Sequence, residues 1–309
     1  MKKIDLSSYL HGGVLALSFF HFMNHLYSLS LPPLFPLIKK YFEVGNTEVG
    51  LITAVLSFTM VVFQLPLGMH SDRFGRRKIL GIGLLFMMTA TFLISLAGTF
   101  WAVLGFVALL GIGVSTYHPV GTSAVADLST EENTGKLMSV QAVGGSLGVG
   151  LAPLILGGLA SFFGWRIPLR FLAFAGFPLL FTLFFTLGET RTQGRKGKLA
   201  LPSLALTVAI ALFYFLRGFV FKSITTFLPT YFVEIKGLSL VGGGLNTSIF
   251  LLTGVIVQPI GGILADRWNR ALIIIVSCLG SAVVLFALVS LPVTGGEVYL
   301  LLILLGGFL

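Results

Sequence analysis

The sequence predicts an all-α membrane protein built from about ten apolar helices in two related halves. Of its 309 residues 56% are hydrophobic and only 10% are charged, with a mean hydropathy of +0.99. Soluble domains carry about 25% charged residues. Two further observations support this fold class: apolar runs of membrane-spanning length recur along the chain, and a charged turn occurs twice.

The apolar runs divide into two groups. A helix needs about 20 apolar residues to cross a bilayer. Runs of this kind occupy 13–38, 47–69, 79–98, 100–127, 136–162, 166–188, 202–233, 240–264 and 271–292, and a partial one begins near 297. The stretch Glu189 to Lys198 is instead polar and rich in Arg, Lys and Gly. We therefore expect a six-helix half at 1–188, a cytoplasmic linker at 189–201 and a second half at 202–309.

The charged turn runs from Gly68 to Lys78 as GMHSDRFGRRK, and a second copy, GILADRWNR, runs from Gly262 to Arg270. Such a cluster cannot lie in hydrocarbon, so each copy must be a turn at the membrane surface. Asp72 and Asp266 are 194 residues apart, and this offset relates much of the flanking sequence. Gly50, Leu51, Thr53, Thr59, Gln64, Gly68, Arg73 and Arg76 coincide with Gly244, Leu245, Thr247, Thr253, Gln258, Gly262, Arg267 and Arg270. The two halves are therefore sequence repeats.

The same offset bears on the length of the second half. Leu309 corresponds to position 115, in the middle of the fourth apolar run. A second half as long as the first would extend roughly 75 residues further, given the length of a spanning helix. We therefore expect a second half that is incomplete, with about nine and a half helices in all.

The net charge of +9 follows topology and does not indicate a nucleic-acid partner. If the turns lie alternately on the two sides, most cations fall on one side, which indicates that this side and the N-terminus are cytoplasmic. That side has Lys2, Lys3, Arg73, Arg76, Arg77, Lys78, Lys136, Arg191, Arg195, Lys196, Lys198, Arg267 and Arg270; the other has Lys39, Lys40, Arg166, Arg170 and Lys236. We expect a multi-pass protein of the inner (plasma) membrane. Its single cysteine, Cys278, excludes an internal disulfide.

The charged turn resembles the signature loop between the second and third helices of the major facilitator superfamily. His70 and Ser71 depart from that pattern, and Asn269 replaces a glycine in the second copy, a position where asparagine tolerates left-handed backbone. The resemblance implies two pseudo-symmetric six-helix halves around a site at mid-membrane. It also implies a gating loop in which the acid meets a helix end of the opposite half and the arginines meet an acid near the end of helix four. The matching positions are Gly68, Asp72, Arg73, Gly75, Arg76, Asp127, Gly262, Asp266, Arg267 and Arg270.

Five ionisable side chains lie inside the apolar runs, and every carboxylate lies in a turn or at a helix end. Because intramembrane charge is expensive, each is a candidate for substrate or proton binding. Arg217 is the first candidate, roughly 22 Å into helix seven at 1.5 Å per residue. A structural ion pair or hydrogen-bonded packing is the alternative for each. The candidates, with two polar neighbours on helix one, are Arg217, Lys222, His21, His25, His118, Asn24 and Tyr27.

Several shorter stretches resemble the fosmidomycin-resistance branch of that superfamily. They are YHPVG at 117–121, QAVGG at 141–145, Leu216-Arg217 and FLPTY at 227–231. The resemblance implies proton-coupled drug efflux. Protonation of His21 or His118 is the coupling step that we expect, since imidazole titrates near neutral pH. Fosmidomycin is a phosphonate, and a cluster of Arg217, Lys222 and histidines suits an anionic group. Val107 departs from many drug/proton antiporters, which carry an arginine there.

Helix five carries small residues at four-residue spacing, Gly144, Gly148 and Ala152, followed by Pro153. This pattern favours close packing of another helix. It is similar to the glycine-proline motif of superfamily antiporters, although alanine here precedes the proline. Ordinary small-residue packing is the alternative interpretation.

Three functions follow from these features. The leading one is a secondary transporter that exports small anionic or amphiphilic compounds against protons. The second has the same fold and imports an organic anion with protons. A remote third is a membrane metalloenzyme using His21 and His25, which lie one turn apart on a helix but lack further ligands of obvious geometry. We therefore expect no enzyme activity, no cofactor and no metal, with lipid, protons and a small molecule as partners of a monomer.

Overall fold

A computed structural model describes residues 12–189, 203–292 and 295–309. Nine helices in these ranges are long and apolar enough to span a membrane, and a shorter apolar helix follows them. In chain order they are α1 (Gly12–Phe42), α2 (Asn46–Phe74), α3 (Arg76–Leu96), α4 (Phe100–Asp127), α5 (Thr134–Phe163), α6 (Arg166–Thr186), α7 (Leu204–Ile235), α8 (Leu240–Arg267), α9 (Arg270–Ser290) and α10 (Gly296–Phe308). The all-α membrane fold expected from the sequence is confirmed. The expected linker lies almost wholly outside the described residues.

Three of the spans are irregular, and the sequence explains where. In α1 the helix Gly12–Ser28 is followed by a 3₁₀ turn at Pro32–Leu34 and then by a helix at Phe35–Phe42. Proline has no backbone N–H to continue a helix, so the prolines at this point break the hydrogen-bond ladder. α4 is interrupted at Thr116, and α7 ends in a π-helical turn at Tyr231–Ile235, just after Pro229. Regular helix starts are capped by side chains, for example by Thr99 and Ser239.

The described helices form two hydrophobic cores. One is built from buried residues of α1 to α6 and the other from buried residues of α7 to α10. Both cores use the same packing at the sequence offset: Gly111 of α4 lies against the Leu56 carbonyl and Thr59, and Gly306 of α10 lies against the Phe250 carbonyl and Thr253. The sequence repeat is therefore a structural repeat.

The main contact between the two cores is made by α5 and α8. Gly244 lies against the Pro153 carbonyl, so the two backbones touch at this crossing. Close by, the Leu154 backbone N–H donates a hydrogen bond of 3.2 Å to Ser248 Oγ. Pro153, predicted as a packing residue, therefore lies at the contact between the halves.

The two ends of the bundle differ. We call the end with the turns at 75, 128–133 and 268–269 the basic end, and the end with the turns at 43–45, 164–165 and 236–239 the far end. Near the far end, Asn246 and Thr247 of α8 are 4% and 0% exposed, whereas Ile256 and Ile263, nearer the basic end, are 69% and 54% exposed. The halves are therefore in contact at the far end and apart at the basic end.

The small residues of α5 bring it against α1. A methyl group added at Gly144 would overlap the Ser18 carbonyl, and one added at Gly148 would overlap the Phe22 carbonyl. Backbone atoms cannot move aside as a flexible side chain can, so α1 and α5 are held at the distance that glycine sets. Overfilling a packed interface costs about 1–3 kcal/mol.

We expect Gly148→Ala to lower the thermal unfolding midpoint of the detergent-purified protein by several degrees, because about 1–3 kcal/mol is lost at the α1–α5 contact. Gly158→Ala is the matched control on the same helix, since a methyl group there meets nothing within 4 Å. Alanine is the better helix former by about 1 kcal/mol, so the control should be unchanged or slightly stabilised. An equal effect of the two substitutions would contradict the packing role of Gly148.

Candidate functional site

Three histidines from two helices form one cluster. His25 Nε2 lies 3.1 Å from His21 Nε2 on α1, and the ring of His118 on α4 lies 5.3 Å and 5.5 Å from their rings. One ring nitrogen of each histidine lies within 4.8 Å of the others. All three side chains are half-buried. We call these three residues the histidine cluster.

Residues of α5 and α4 hold the ring of His21 in place. His21 Nδ1 lies 3.0 Å from the Gln141 carbonyl, which can only accept, so in a neutral ring this nitrogen carries the proton. Nε2 of His21 is then the acceptor and His25 Nε2–H donates to it. Tyr117 stacks on His21 with ring centroids 4.6 Å apart, and its hydroxyl donates to the Leu17 carbonyl at 2.6 Å. The orientation of His21 is therefore determined by its neighbours.

Local sequence explains how the cluster assembles. His21 and His25 are four residues apart and share one face of α1. His118 follows the break in α4 at Thr116 and precedes Pro119. Gly145 of α5 leaves room for the His21 ring, since a methyl group there would overlap it. Both α1 and α4 thus bring their histidines to one depth in the bundle.

The other predicted binding residues are placed differently. Lys222 of α7 is half-buried and lies within electrostatic range of His25, which links the second half to the cluster. Arg217 is exposed, and its Nη2 donates a 2.7 Å hydrogen bond to the Leu309 carbonyl. The structure does not join Arg217 to the histidines by a hydrogen bond within the described residues.

Asn24 and Tyr27 of α1 also differ from the expected arrangement. Asn24 is fully buried, and neither its side-chain oxygen nor its side-chain nitrogen has a hydrogen-bond partner among the described residues. Tyr27 is fully buried too, and its hydroxyl donates to the Leu172 carbonyl of α6 at 2.9 Å. Tyr27 therefore contacts α6 and is not brought to the histidines.

A cavity of about 510 Å³ in the first half extends to Asp72, near the turn at 75 of the basic end. α2 and α4 line it, and Pro119, the residue after His118, is part of its wall. The lining residues are Val61, Gln64, Leu65, Gly68, Met69, Asp72, Pro119 and Ser123. The cavity therefore connects the acid of the signature turn with the helix that carries His118.

The first signature turn forms an ion-pair network. Arg76, whose side chain is 4% exposed, donates from Nε to the carboxylate of Asp127 at the end of α4, and its Nη2 lies 3.5 Å from Asp72. Gly75 adopts a φ of +96°, a conformation that favours glycine. Arg77 pairs with Glu189 at 3.2 Å and so ties α3 to the end of α6. The arginine–acid contact that the family resemblance implies is present, and Arg73 is exposed.

The second signature turn is more open. Arg270 pairs with Asp266 at 2.9 Å, but both side chains are more than two-thirds exposed, as is typical of a surface pair. Arg267 is exposed, and Gly262 has open space beside it. Asn269 does not use the left-handed conformation that asparagine tolerates: its φ is −79°, and its side chain caps α9 by accepting from the N–H groups of Ala271 and Leu272. A capping role explains why asparagine replaces the glycine of the first copy.

An ion pair joins the two halves at the far end, and the sequence analysis did not anticipate it. Lys39 of α1 lies 2.6 Å from Glu234 in the π-helical turn of α7, with side chains 15% and 32% exposed. Lys39 also donates to Asn46 Oδ1 at the start of α2, at 2.7 Å. Lys39 and Glu234 are 195 positions apart, close to the repeat offset of 194. This spacing is the sequence signal from which their pairing could have been predicted.

The sequence-based argument against a metal site needs correction on one point. It held that His21 and His25 lack a third ligand of obvious geometry, but His118 supplies a third imidazole within reach. The third imidazole comes from a different helix, so the packing of α4 against α1 brings the three rings together.

Two repeated helical halves, with an ionisable cluster in the first half and an opening at one end, are the architecture of a polytopic membrane transporter. The family model of the Major Facilitator Superfamily matches residues 17–309. The chain belongs to this superfamily, whose members are transporters and not enzymes, as the sequence predicts. The prediction of a multi-pass membrane protein is confirmed with it.

Named relatives are similar at low identity. The Fosmidomycin resistance protein of Escherichia coli (strain K12) is 27% identical over 278 residues, which cover 86% of this chain and 68% of that protein. The Nitrite extrusion protein of Bacillus subtilis (strain 168) is 25% identical over 236 residues, 74% of this chain and 58% of that protein. The chain thus spans between about half and two-thirds of the length of these relatives. The first relative agrees with the resemblance inferred from the sequence.

Among solved structures, a bacterial homologue of the human lysosomal transporter Spinster, in an inward-facing and occupied conformation, has a TM-score of 0.84. It is 16% identical and the match covers 96% of this chain and 71% of that one. At this identity the similarity supports the fold alone. It confirms a major facilitator fold in which only part of the second half is present in these residues.

Proposed function

We propose that the protein is a secondary transporter that exports small anions by alternating access. The observation that carries the proposal is the arrangement of the two halves: they meet at the far end through α5, α8 and the Lys39–Glu234 pair, and separate at the basic end. The histidine cluster and Lys222 lie between these two ends. In a transporter that works by alternating access, the binding site is open to only one side of the membrane in each conformational state, as it is here.

Two observations support an anionic substrate. Lys222 offers positive charge and the imidazoles offer N–H donors, and every carboxylate of the described chain lies in a turn or near a helix end. The names of the relatives include fosmidomycin, a phosphonate, and nitrite, which are both small anions. Planar or tetrahedral oxyanions suit such donors. The name of the nitrite extrusion protein also describes export, which favours efflux over the alternative, proton-coupled uptake.

The driving ion and the orientation are part of the same proposal. Protons as the driving ion are supported by the resemblance to the fosmidomycin-resistance branch, and a cytoplasmic basic end is supported by the cation asymmetry of the turns. In this orientation the cavity opens to the cytoplasm. The protein lies in the inner membrane of the cell as a monomer. The halves at 1–188 and 202–309 would move as units about the linker at 189–201.

The signature turns are proposed to stabilise one of the two states. Asp72 is half-exposed in the cavity wall at the basic end, close to where the opposite half would approach on closure. A carboxylate at a helix N-terminus is worth about 0.3–2 kcal/mol, enough to bias a balanced equilibrium. Asp266 occupies the equivalent position in the second half.

The transport assay is flux of fosmidomycin in proteoliposomes that contain the protein expressed from its own gene, with an imposed pH gradient. We expect outward-directed flux that an uncoupler abolishes. Flux that persists without the gradient would contradict proton coupling, and absence of flux for fosmidomycin, nitrite and nitrate would contradict the anion proposal. Reversing the gradient distinguishes export from uptake.

Arg217 remains the proposed anion ligand on α7, and its substitution is a separate test. A guanidinium pairs with two oxygens at once, whereas an ammonium presents a point charge, so we expect Arg217→Lys to weaken fosmidomycin flux and Arg217→Ala to abolish it. Because Arg217 is exposed and donates to one backbone carbonyl, both variants should fold.

The control for Arg217 is Lys40→Ala, which removes an exposed cation from α1 near the far end. This variant should transport fosmidomycin at the wild-type rate. A neutral drug provides the second control, because loss of flux for both compounds would indicate a defect in folding or gating. Normal fosmidomycin flux by Arg217→Ala would show that the arginine has no part in substrate binding.

A further inference from the structure

The histidine cluster consists of three imidazoles, a set of side chains that can bind a metal ion as well as an anion. Three imidazole nitrogens from two helices lie within 4.8 Å of one another, and two of them, the Nε2 atoms of His21 and His25, are 3.1 Å apart. Imidazole is the ligand that zinc, copper and nickel share in proteins.

The distances suit a tetrahedral ion. Zinc binds imidazole nitrogen at about 2.0–2.1 Å, so two nitrogens of a tetrahedral site are roughly 3.4 Å apart. The separation of 3.1 Å between His21 and His25 is close to this value. His118 is in T-shaped contact with both rings, and one of its ring nitrogens lies within 4.8 Å of theirs. Calcium and magnesium prefer oxygen ligands, which the cluster does not offer.

The surroundings of His21 have the form expected behind a metal ligand. Ligating histidines almost always donate their second ring N–H to a carbonyl or carboxylate, which fixes the orientation of the ring. His21 Nδ1 makes this hydrogen bond, at 3.0 Å to the Gln141 carbonyl, and so presents Nε2 to the cluster. Tyr117 holds the other face of the ring. One ligand is therefore pre-oriented without the metal.

The charges around the cluster determine the fourth ligand. Lys222 lies within electrostatic range of His25 and opposes a cation. Neutral imidazoles leave both positive charges of the ion uncompensated, and the three half-buried rings leave one side of the cluster accessible. Water or a small anion can enter there from the solvent, as in zinc sites with three protein ligands and one open position.

We propose that His21, His25 and His118 bind one Zn²⁺ ion, with the fourth position open to water or an anion. This property goes beyond anion transport and is independent of it. The ion would replace the hydrogen bond between His21 and His25 and hold α1 and α4 together. Because both helices belong to the first half, the bound ion would stabilise that half.

The binding test uses the detergent-purified protein in a background that removes other zinc ligands. His11→Gln, His70→Gln and Cys278→Ser together leave the three cluster histidines as the remaining imidazoles of the chain. His70 is exposed and bonds the Pro66 carbonyl, so its removal does not touch the cluster. After chelation and dialysis, Zn²⁺ is titrated in competition with a chromophoric chelator. We expect one bound zinc per chain.

His25→Gln and His118→Gln in this background are expected to weaken zinc binding roughly tenfold or more, since each removes one of three protein ligands. Thermal unfolding without metal shows whether each variant folds, and added zinc should raise the midpoint of the background protein only. Co²⁺ should give the intense visible absorption of a four-coordinate site in the background protein. No stoichiometric zinc in that protein, or equal binding by both variants, would overturn the proposal whether or not the protein transports anions.

Discussion

Replacing Asp127 with asparagine is expected to lower the stability of the protein by about 2–4 kcal/mol. Arg76 is buried at the turn between α2 and α3, and Asp127 is the carboxylate that its Nε contacts. Removing one member of a buried pair typically costs about 3–5 kcal/mol because the remaining charge is left without compensation. Asp72, 3.5 Å from Arg76, retains part of the compensation, so the expected loss is smaller.

The repeat provides the matched control. Asp266→Asn removes the acid of the equivalent turn, where Asp266 and Arg270 are 71% and 77% exposed. An exposed pair is worth about 0–1 kcal/mol, so this variant should be close to wild type. The thermal midpoint in detergent should fall by about 5–10 °C for Asp127→Asn and by about 2 °C or less for Asp266→Asn. Equal effects would contradict the view that the first turn alone is a buried network.

Reversing the charge of Lys39 is expected to reduce transport roughly tenfold, because it places two like charges at the far end where the halves meet. Like-charge contact at an interface costs several kcal/mol. Lys39→Glu would face Glu234, and Glu234→Lys would face Lys39 in the same way. Either change should favour the state that is open at the far end. The double variant restores opposite charges and should recover most of the flux.

Lys40→Glu is the control for this pair. Lys40 is the neighbouring cation and is exposed. A charge reversal there changes the surface charge by the same amount without touching Glu234. Flux should remain near wild type in Lys40→Glu. If the double variant transports as poorly as the single variants, the Lys39–Glu234 ion pair does not stabilise the closed far end. An equal loss of flux in Lys40→Glu would contradict that role as well.

Much of the fold follows from the sequence because it depends on local and repeated features. The run of apolar spans requires helices, since a backbone in lipid must satisfy its own hydrogen bonds. The duplicated turn identifies the repeat and, through resemblance, the contact of Arg76 with Asp127. The glycines of α5 indicate close packing, and the structure shows which helix packs there, α1.

The site is less accessible to sequence reasoning because its parts are distant in the chain. The sequence identifies His21, His25 and His118 separately, but their meeting depends on how α1 and α4 cross. Tyr27 shows the converse: it lies near His25 in sequence, yet it contacts α6. In the sequence, Lys39 and Glu234 look like ordinary surface residues, and only the structure shows that they pair where the two halves meet at the far end.

The central claim is that the two halves exchange between opening at the basic end and opening at the far end. It is tested most directly by distances between spin labels at repeat-related exposed positions in a Cys278→Ser background. One pair is Met69 with Ile263 at the basic end, and the other is Tyr41 with Ile235 at the far end. Adding fosmidomycin under a pH gradient should shorten the first distance in part of the population and lengthen the second in the same proportion. If neither distance changes, or if both change in the same direction, the halves do not alternate and the proposed mechanism is wrong.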